Sequence, residues 1–166
     1  KNRIKILLVL LAALPFQVLL NAQTESATSP KVKIGGYVGS RIEICNSGMI
    51  MQEDVDALVE PFRHKEDRSS WSTEFIGKWM LGAIEMYRYN SDPALLEKIS
   101  KGIHDLVATQ QEDGFIGSYA PDARLTHWDI WGRKYTALAL ISYYRLTGEK
   151  SVLEAAAKSI DCLIKD

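Results

Sequence analysis

From Trp71 onward the apolar residues recur at helical spacing, and the pattern predicts four helices at about 71–89, 93–111, 129–147 and 149–165. Asp92-Pro93 marks a helix start, with Asp as the cap and Pro at the first helical position. Gly148 marks the end of the third helix. Ser151 and Glu154 have capping-box spacing at the start of the fourth. The second helix carries Leu96, Ile99, Ile103 and Leu106 on one side, and the fourth repeats this with Val152, Leu153, Ala156, Ile160 and Leu163. Both read as one-faced surface helices. The first and third differ. Phe75, Ile76, Trp79, Met80, Leu81, Ile84 and Tyr87 run nearly all the way round, as do Ala137 to Ile141 with Tyr143 and Tyr144. Such helices are buried on every side, so the order is inner, outer, inner, outer.

The two halves of this pattern repeat. A shift of 57 residues lays Tyr87-Arg88 on Tyr144-Arg145, Leu96-Glu97 on Leu153-Glu154, Lys101 on Lys158, Ile103 on Ile160 and Leu106 on Leu163. Each unit is one helical hairpin, and alternating inner and outer helices point to an all-α fold, part of an (α/α)6 toroid. A ring of about six such hairpins needs roughly twice this chain length. The sequence therefore reads as the N-terminal fragment of a longer protein, and the absence of an initiating Met agrees with that.

Before the helices the chain changes character. Lys1, Arg3 and Lys5, the apolar run from Ile6 and a small residue at Ala22 have the three-part layout of an export signal over residues 1–22. Pro15, Gln17 and Asn21 interrupt the run, which favours a removed leader over a membrane anchor. The expected location is periplasmic or extracellular, with no membrane contact once the leader is removed. Residues 23–50 read as a linker and an irregular segment containing Gly35, Gly36 and Gly39, and Gln52 to Phe62 as a short helix that opens the domain over 51–166.

Composition adds exclusions. The chain is 46% hydrophobic and 25% charged, with a net charge of -1 and no basic run to meet nucleic acid. Cys45 and Cys162 are either a disulfide, which export would permit, or separate buried thiols. No CxxC and no His pair gives a metal motif, so neither a metal nor another cofactor is expected in the fragment itself.

The long connection from Gln111 to Trp128 is where a site is expected, because long loops in compact helical domains are often functional. That end of the hairpins gathers Trp71, Glu74, Lys78, Asp129, Trp131, Arg133 and Lys134. Aromatic rings cover the apolar faces of a sugar and charged groups bond its hydroxyls. Taken singly, each has a structural alternative: the acids as dipole partners, the bases as their counterions, the tryptophans as core. Glu74 and Asp129 are the sole carboxylate pair worth weighing for glycoside hydrolysis.

The stretches QEDVDALVEPF (52–62), WSTEFIGKWM (71–80), ATQQEDGFIGSY (108–119) and HWDIWGRKYTALALISYYRLTG (127–148) resemble the N-terminal part of glycoside hydrolase family 127, the β-L-arabinofuranosidase-like enzymes. The resemblance runs from about Ile44 to the end. It implies a toroid followed by β-rich domains, and a retaining mechanism with a zinc-bound cysteine nucleophile and a glutamate acid/base. Those residues fall later in the family's chain, so no catalytic residue is carried onto Cys45 or Cys162. The resemblance also implies that zinc belongs to the full-length parent, and that the partners are carbohydrate and the remainder of its own chain. Better-known members have a His where this chain has Asp129-Ile130-Trp131-Gly132, which puts the arabinose specificity in question. A non-catalytic helical module that binds glycan or protein, and another α/α-toroid enzyme such as an unsaturated-glucuronide hydrolase, remain as alternatives.

Overall fold

The computed structural model describes residues 32–166, so the export-signal segment lies outside the described residues. Six α-helices follow one another: α1 Gly36–Cys45, α2 Val55–Val59, α3 Glu74–Asn90, α4 Pro93–Val107, α5 Asp129–Thr147 and α6 Lys150–Lys165. No strand occurs among the described residues.

The N-terminal reading needs correction. Residues 36–50 are helical, not irregular. Helix α1 continues into a single wide turn over Asn46–Ile50, closed by Met51 N–H donating to the Asn46 carbonyl at 2.8 Å. Glycine lowers helical preference by only about 1 kcal/mol per position, and Gly35 stands at the N-cap, which suits it. Ser40 and Ser47 return their hydroxyls to the Gly36 and Glu43 carbonyls, one turn back. Helix α2 is capped by Asp54, whose carboxylate accepts from Ala57 N–H at 3.1 Å. Pro61 then tightens the chain into a short 3-10 turn, Glu60–Arg63, with Phe62 fully buried.

The four main helices lie where the pattern puts them. The Asp92 carboxylate accepts from Ala94 N–H at 2.9 Å and starts α4. Gly148 ends α5 with φ 75. The Ser151–Glu154 capping box does not form. Helix α6 begins two residues earlier than such a box requires, and the Ser151 hydroxyl donates to the Glu149 carboxylate instead. Helices α3 and α5 pack against each other as the inner pair, with α4 and α6 outside them. The inner pair comes close at Gly77, where an added Cβ would stand 2.6 Å from the Cβ and carbonyl oxygen of Tyr135. The core between the layers holds Ile76, Met80, Ile84, Leu95, Ile99, Ile103, Leu106 and Leu140.

Several apolar positions differ from the pattern. Leu95, not Leu96, is fully buried on α4. On α6 the buried side is Val152, Ala155, Ala156, Ser159 and Cys162, while Leu153 and Ile160 face outward. Helix α5 is not enclosed either, because Ile130, Trp131 and Leu138 are exposed. Its buried side includes Asp129, Arg133 and Thr136.

The long loop is a plug, not a free strap. Phe115, Ile116, Ser118 and Tyr119 are buried, and Phe115, Tyr119, Ala123 and Cys162 form a second small core. The Asp113-Gly114 turn forms as its sequence signals: the Asp113 carboxylate accepts from Phe115 N–H at 3.0 Å. Gly114 has φ 97, and its Cα lies against the Lys158 backbone. Gln110 fastens this turn by donating to the carbonyls of Gly114 and Ala155, each at 2.9 Å. Asp67 N–H donates to the Ser118 carbonyl and Ala120 N–H to the Asp67 carbonyl, so the loop also pairs with the chain before α3. Cys45 and Cys162 are separate thiols, Cys162 buried in the second core.

Candidate functional site

The seven residues singled out from sequence fall into two groups. Glu74, Lys78, Trp131 and Lys134 come together at the N-terminal ends of α3 and α5. Glu74 and Trp131 are 57 residues apart, equivalent positions of the repeat, and they touch: the Trp131 indole N–H donates to the Glu74 carboxylate. Lys78 pairs with the same carboxylate at 2.8 Å, one helical turn along α3. Glu74 is only 7% exposed. The Lys78 ammonium beside it, followed by the indole N–H, holds its carboxyl below the usual range, against the opposing effect of burial.

Lys134 completes this group. Its ammonium stands 3.5 Å from the Trp131 ring centre and 4.1 Å from that of Tyr135, and the Lys78 ammonium lies 5.2 Å from the Tyr135 ring centre. Trp131 and Tyr135 meet edge to face at 5.5 Å. The sequence reading missed Tyr135. The available signal was its place four residues after Trp131, on the same face of α5. One face of Trp131 is thus covered by an ammonium and its N–H is engaged. Trp71 is 60% exposed and tilted against Phe75 at 5.7 Å, and Trp128 is also exposed.

Asp129 and Arg133 point the other way. Asp129 is buried and accepts from Leu125 N–H at 2.9 Å. Arg133 is buried beside Phe115, 5.0 Å from the ring centre, and pairs with Asp166 at 2.6 Å and more distantly with Asp129 at 3.5 Å. Arg124 covers Phe115 at 3.9 Å and reaches Asp113 and Asp166. This charged cluster fastens the loop to the end of α6. Glu74 and Asp129 therefore do not share an open cleft: one is held by Lys78 and Trp131, the other faces inward. The backbone between loop and α5 adopts left-handed conformations at Leu125 (φ 64) and His127 (φ 47), a cost that non-glycine residues bear here to bring Asp129 under the Leu125 N–H.

No group of three His, Cys, Asp or Glu side chains among the described residues is disposed to hold a metal ion. The zinc implied by the family resemblance has no donor set in this part, and no chemical step is assigned to it here. No helix among the described residues is long and apolar enough to cross a membrane. The assembled cluster can bind and orient a ligand through two ammoniums, one neutralised carboxylate and exposed rings.

Comparison with known proteins agrees with this architecture. The crystal structure of Ara127N-Se, a GH127 β-L-arabinofuranosidase from Geobacillus stearothermophilus T6, superposes with a TM-score of 0.55 at 19% identity, covering 74% of this chain and 22% of that one. That likeness establishes the helical fold, and this chain spans less than a quarter of that relative's length. No curated protein matches. The family described as β-L-arabinofuranosidase, GH127 catalytic domain, matches residues 9–166. Matched over nearly its whole length, this chain belongs to the GH127 β-L-arabinofuranosidase catalytic-domain family.

Proposed function

We propose that this chain forms part of the sugar-binding wall of an exported glycoside hydrolase that acts on arabinofuranoside-type glycans. The observation that carries this reading is the cluster of Glu74, Trp131, Lys134 and Tyr135 where two adjacent inner helices begin, flanked by exposed Trp71 and Trp128. Inner-helix starts of this kind bring free backbone donors, rings and charges to one end of the hairpins. The acid/base glutamate, the cysteine nucleophile and its zinc belong to other parts of the parent protein, and the layout of residues 1–22 supports export.

The test is to purify the chain and offer it an aryl L-arabinofuranoside. We expect a tryptophan fluorescence change on binding and no release of the aryl group. Turnover by the pure chain, abolished in Glu74→Ala, would overturn the division of labour. A self-sufficient binding module is disfavoured by the exposed apolar residues Ile130, Leu138, Ile160 and Ile164. A chain that stays monomeric at high concentration would restore that alternative.

A further inference from the structure

Two of the exposed tryptophans, Trp71 and Trp128, are tied through their backbone to one buried oxygen. Tyr119 is 1% exposed, and its ring packs with Phe115, Ala123 and Cys162 in the second small core. A phenylalanine ring would fill that place equally well, so packing accounts for the ring and not for the hydroxyl. The hydroxyl is used in both directions. It donates to the Ser70 carbonyl at 2.7 Å and accepts from the Trp128 N–H at 3.2 Å. The first is the carbonyl of the peptide that leads into Trp71. The second is the amide of Trp128 itself. Each indole is therefore carried by a peptide that ends on the same hydroxyl.

The surroundings make this tie rigid. On either side of Tyr119 the backbone pairs with Asp67, whose N–H donates to the Ser118 carbonyl at 3.1 Å and whose carbonyl accepts from Ala120 N–H at 2.9 Å. His127, just before Trp128, holds a left-handed φ of 47, which costs free energy in a non-glycine residue and persists where its neighbours enforce it. The peptide that follows it is the one whose N–H meets Tyr119. Burial pushes the phenol pKa up against the effect of the Trp128 N–H, and the Asp129 and Asp67 charges add to the rise. The hydroxyl thus keeps its proton, and its donor role toward Ser70, at ordinary pH.

We propose that Tyr119 is a positioning residue of the sugar-binding wall, its hydroxyl fixing the backbone of Trp71 and Trp128 so that both indoles meet one ligand. This inference rests on the sugar-wall reading above and deepens it. Tyr119 is buried and touches no ligand itself. A sugar that must meet two rings at once binds more weakly when their backbone is free to shift, because binding then bears the cost of ordering them.

The experiment compares the purified chain with Tyr119→Phe and Gln110→Ala, with methyl β-L-arabinofuranoside as the probe and tryptophan fluorescence as the readout. Gln110 is the structural control. It fastens the same loop to the Gly114 and Ala155 carbonyls and bonds to neither tryptophan. Y119F is expected to bind about tenfold more weakly, the scale of one net hydrogen bond. Q110A should stay within about twofold of wild type. Amide hydrogen exchange gives a readout independent of the sugar. Among the described residues the Trp128 N–H meets no acceptor but Tyr119. It should exchange slowly in wild type and in Q110A, and fast in Y119F. A fast-exchanging Trp128 amide in wild type overturns the inference even where Y119F fails to fold. Unchanged sugar affinity in Y119F, or an equal loss in Q110A, overturns it and leaves the sugar-wall reading standing. A wild-type chain that keeps its Trp128 amide protected and does not bind the sugar overturns the sugar-wall reading, and this inference with it.

Discussion

Replacing Gly77 with Ala tests the contact that sets the spacing of the inner helices. The new methyl would stand 2.6 Å from the Cβ and carbonyl oxygen of Tyr135 and 2.7 Å from its carbonyl carbon. Carbon atoms prefer about 3.5–4.0 Å, so α3 and α5 must separate by roughly 1 Å. Two of the three atoms are backbone, so no side-chain rotation relieves the clash. Overpacking of this kind costs about 1–3 kcal/mol, and a clash against backbone belongs in the upper half of that range. Alanine also favours the helix over glycine by about 0.5–1 kcal/mol. Gly82 isolates that gain. It lies on the same helix, exposed, with nothing within 4 Å of its added Cβ. Gly82→Ala should therefore stabilise by about 0.5–1 kcal/mol, and Gly77→Ala should destabilise by about 1–2 kcal/mol. Propensity cancels between them, leaving a separation of about 2–3 kcal/mol from packing alone. With a urea dependence of about 1–3 kcal/mol per molar, the two midpoints should differ by roughly 1–2 M. Coincident unfolding curves for the two variants would refute the close approach of α3 and α5.

Two pH dependences follow from the same structure. Glu74 has a folded pKa held below its unfolded value, chiefly by Lys78. Its contribution is thus complete above about pH 4.3, is lost as pH falls through the folded value, and disappears in Glu74→Gln. The stability gap between wild type and that variant should be no more than about 1 kcal/mol near neutrality, because Lys78 is partly solvated, and urea midpoints across an acid series should show it closing. Lys65 behaves with the opposite charge. Its ammonium donates to the Phe62 and Gly117 carbonyls, and burial, reinforced by the Arg124 charge, lowers its pKa to about 8. Between pH 8 and the ordinary lysine value of about 10.4 the unfolded chain holds the extra proton, so wild-type stability should rise with pH there relative to Lys65→Gln. Parallel pH profiles for the two proteins would contradict that burial.

The sequence by itself determined the helices and their layers. Periodicity marks α3 to α6 to within a few residues, Asp92 and Gly148 announce their caps, and the wider apolar pattern of α3 and α5 shows which helices are inner. These signals are local, set by which residues recur every turn and which suit a helix end. Tertiary structure decided the rest. Whether Leu95 or Leu96 enters the core depends on how α4 is rolled against α2 and α3, and adjacent apolar residues do not encode that roll. The glycines before Asn46 looked like breakers because their cost is read locally, while the structure places Gly35 at the N-cap of α1, a position that suits glycine. The seven candidate residues were legible as a set at one end of the hairpins. Their division was not: Glu74, Lys78, Trp131 and Lys134 meet in an open cluster, while Asp129 and Arg133 turn inward to hold the loop. Residues at one helix end differ by 100° or so per position. Which direction is inside depends on where Phe115 and the end of α6 pack, and only the folded chain fixes that.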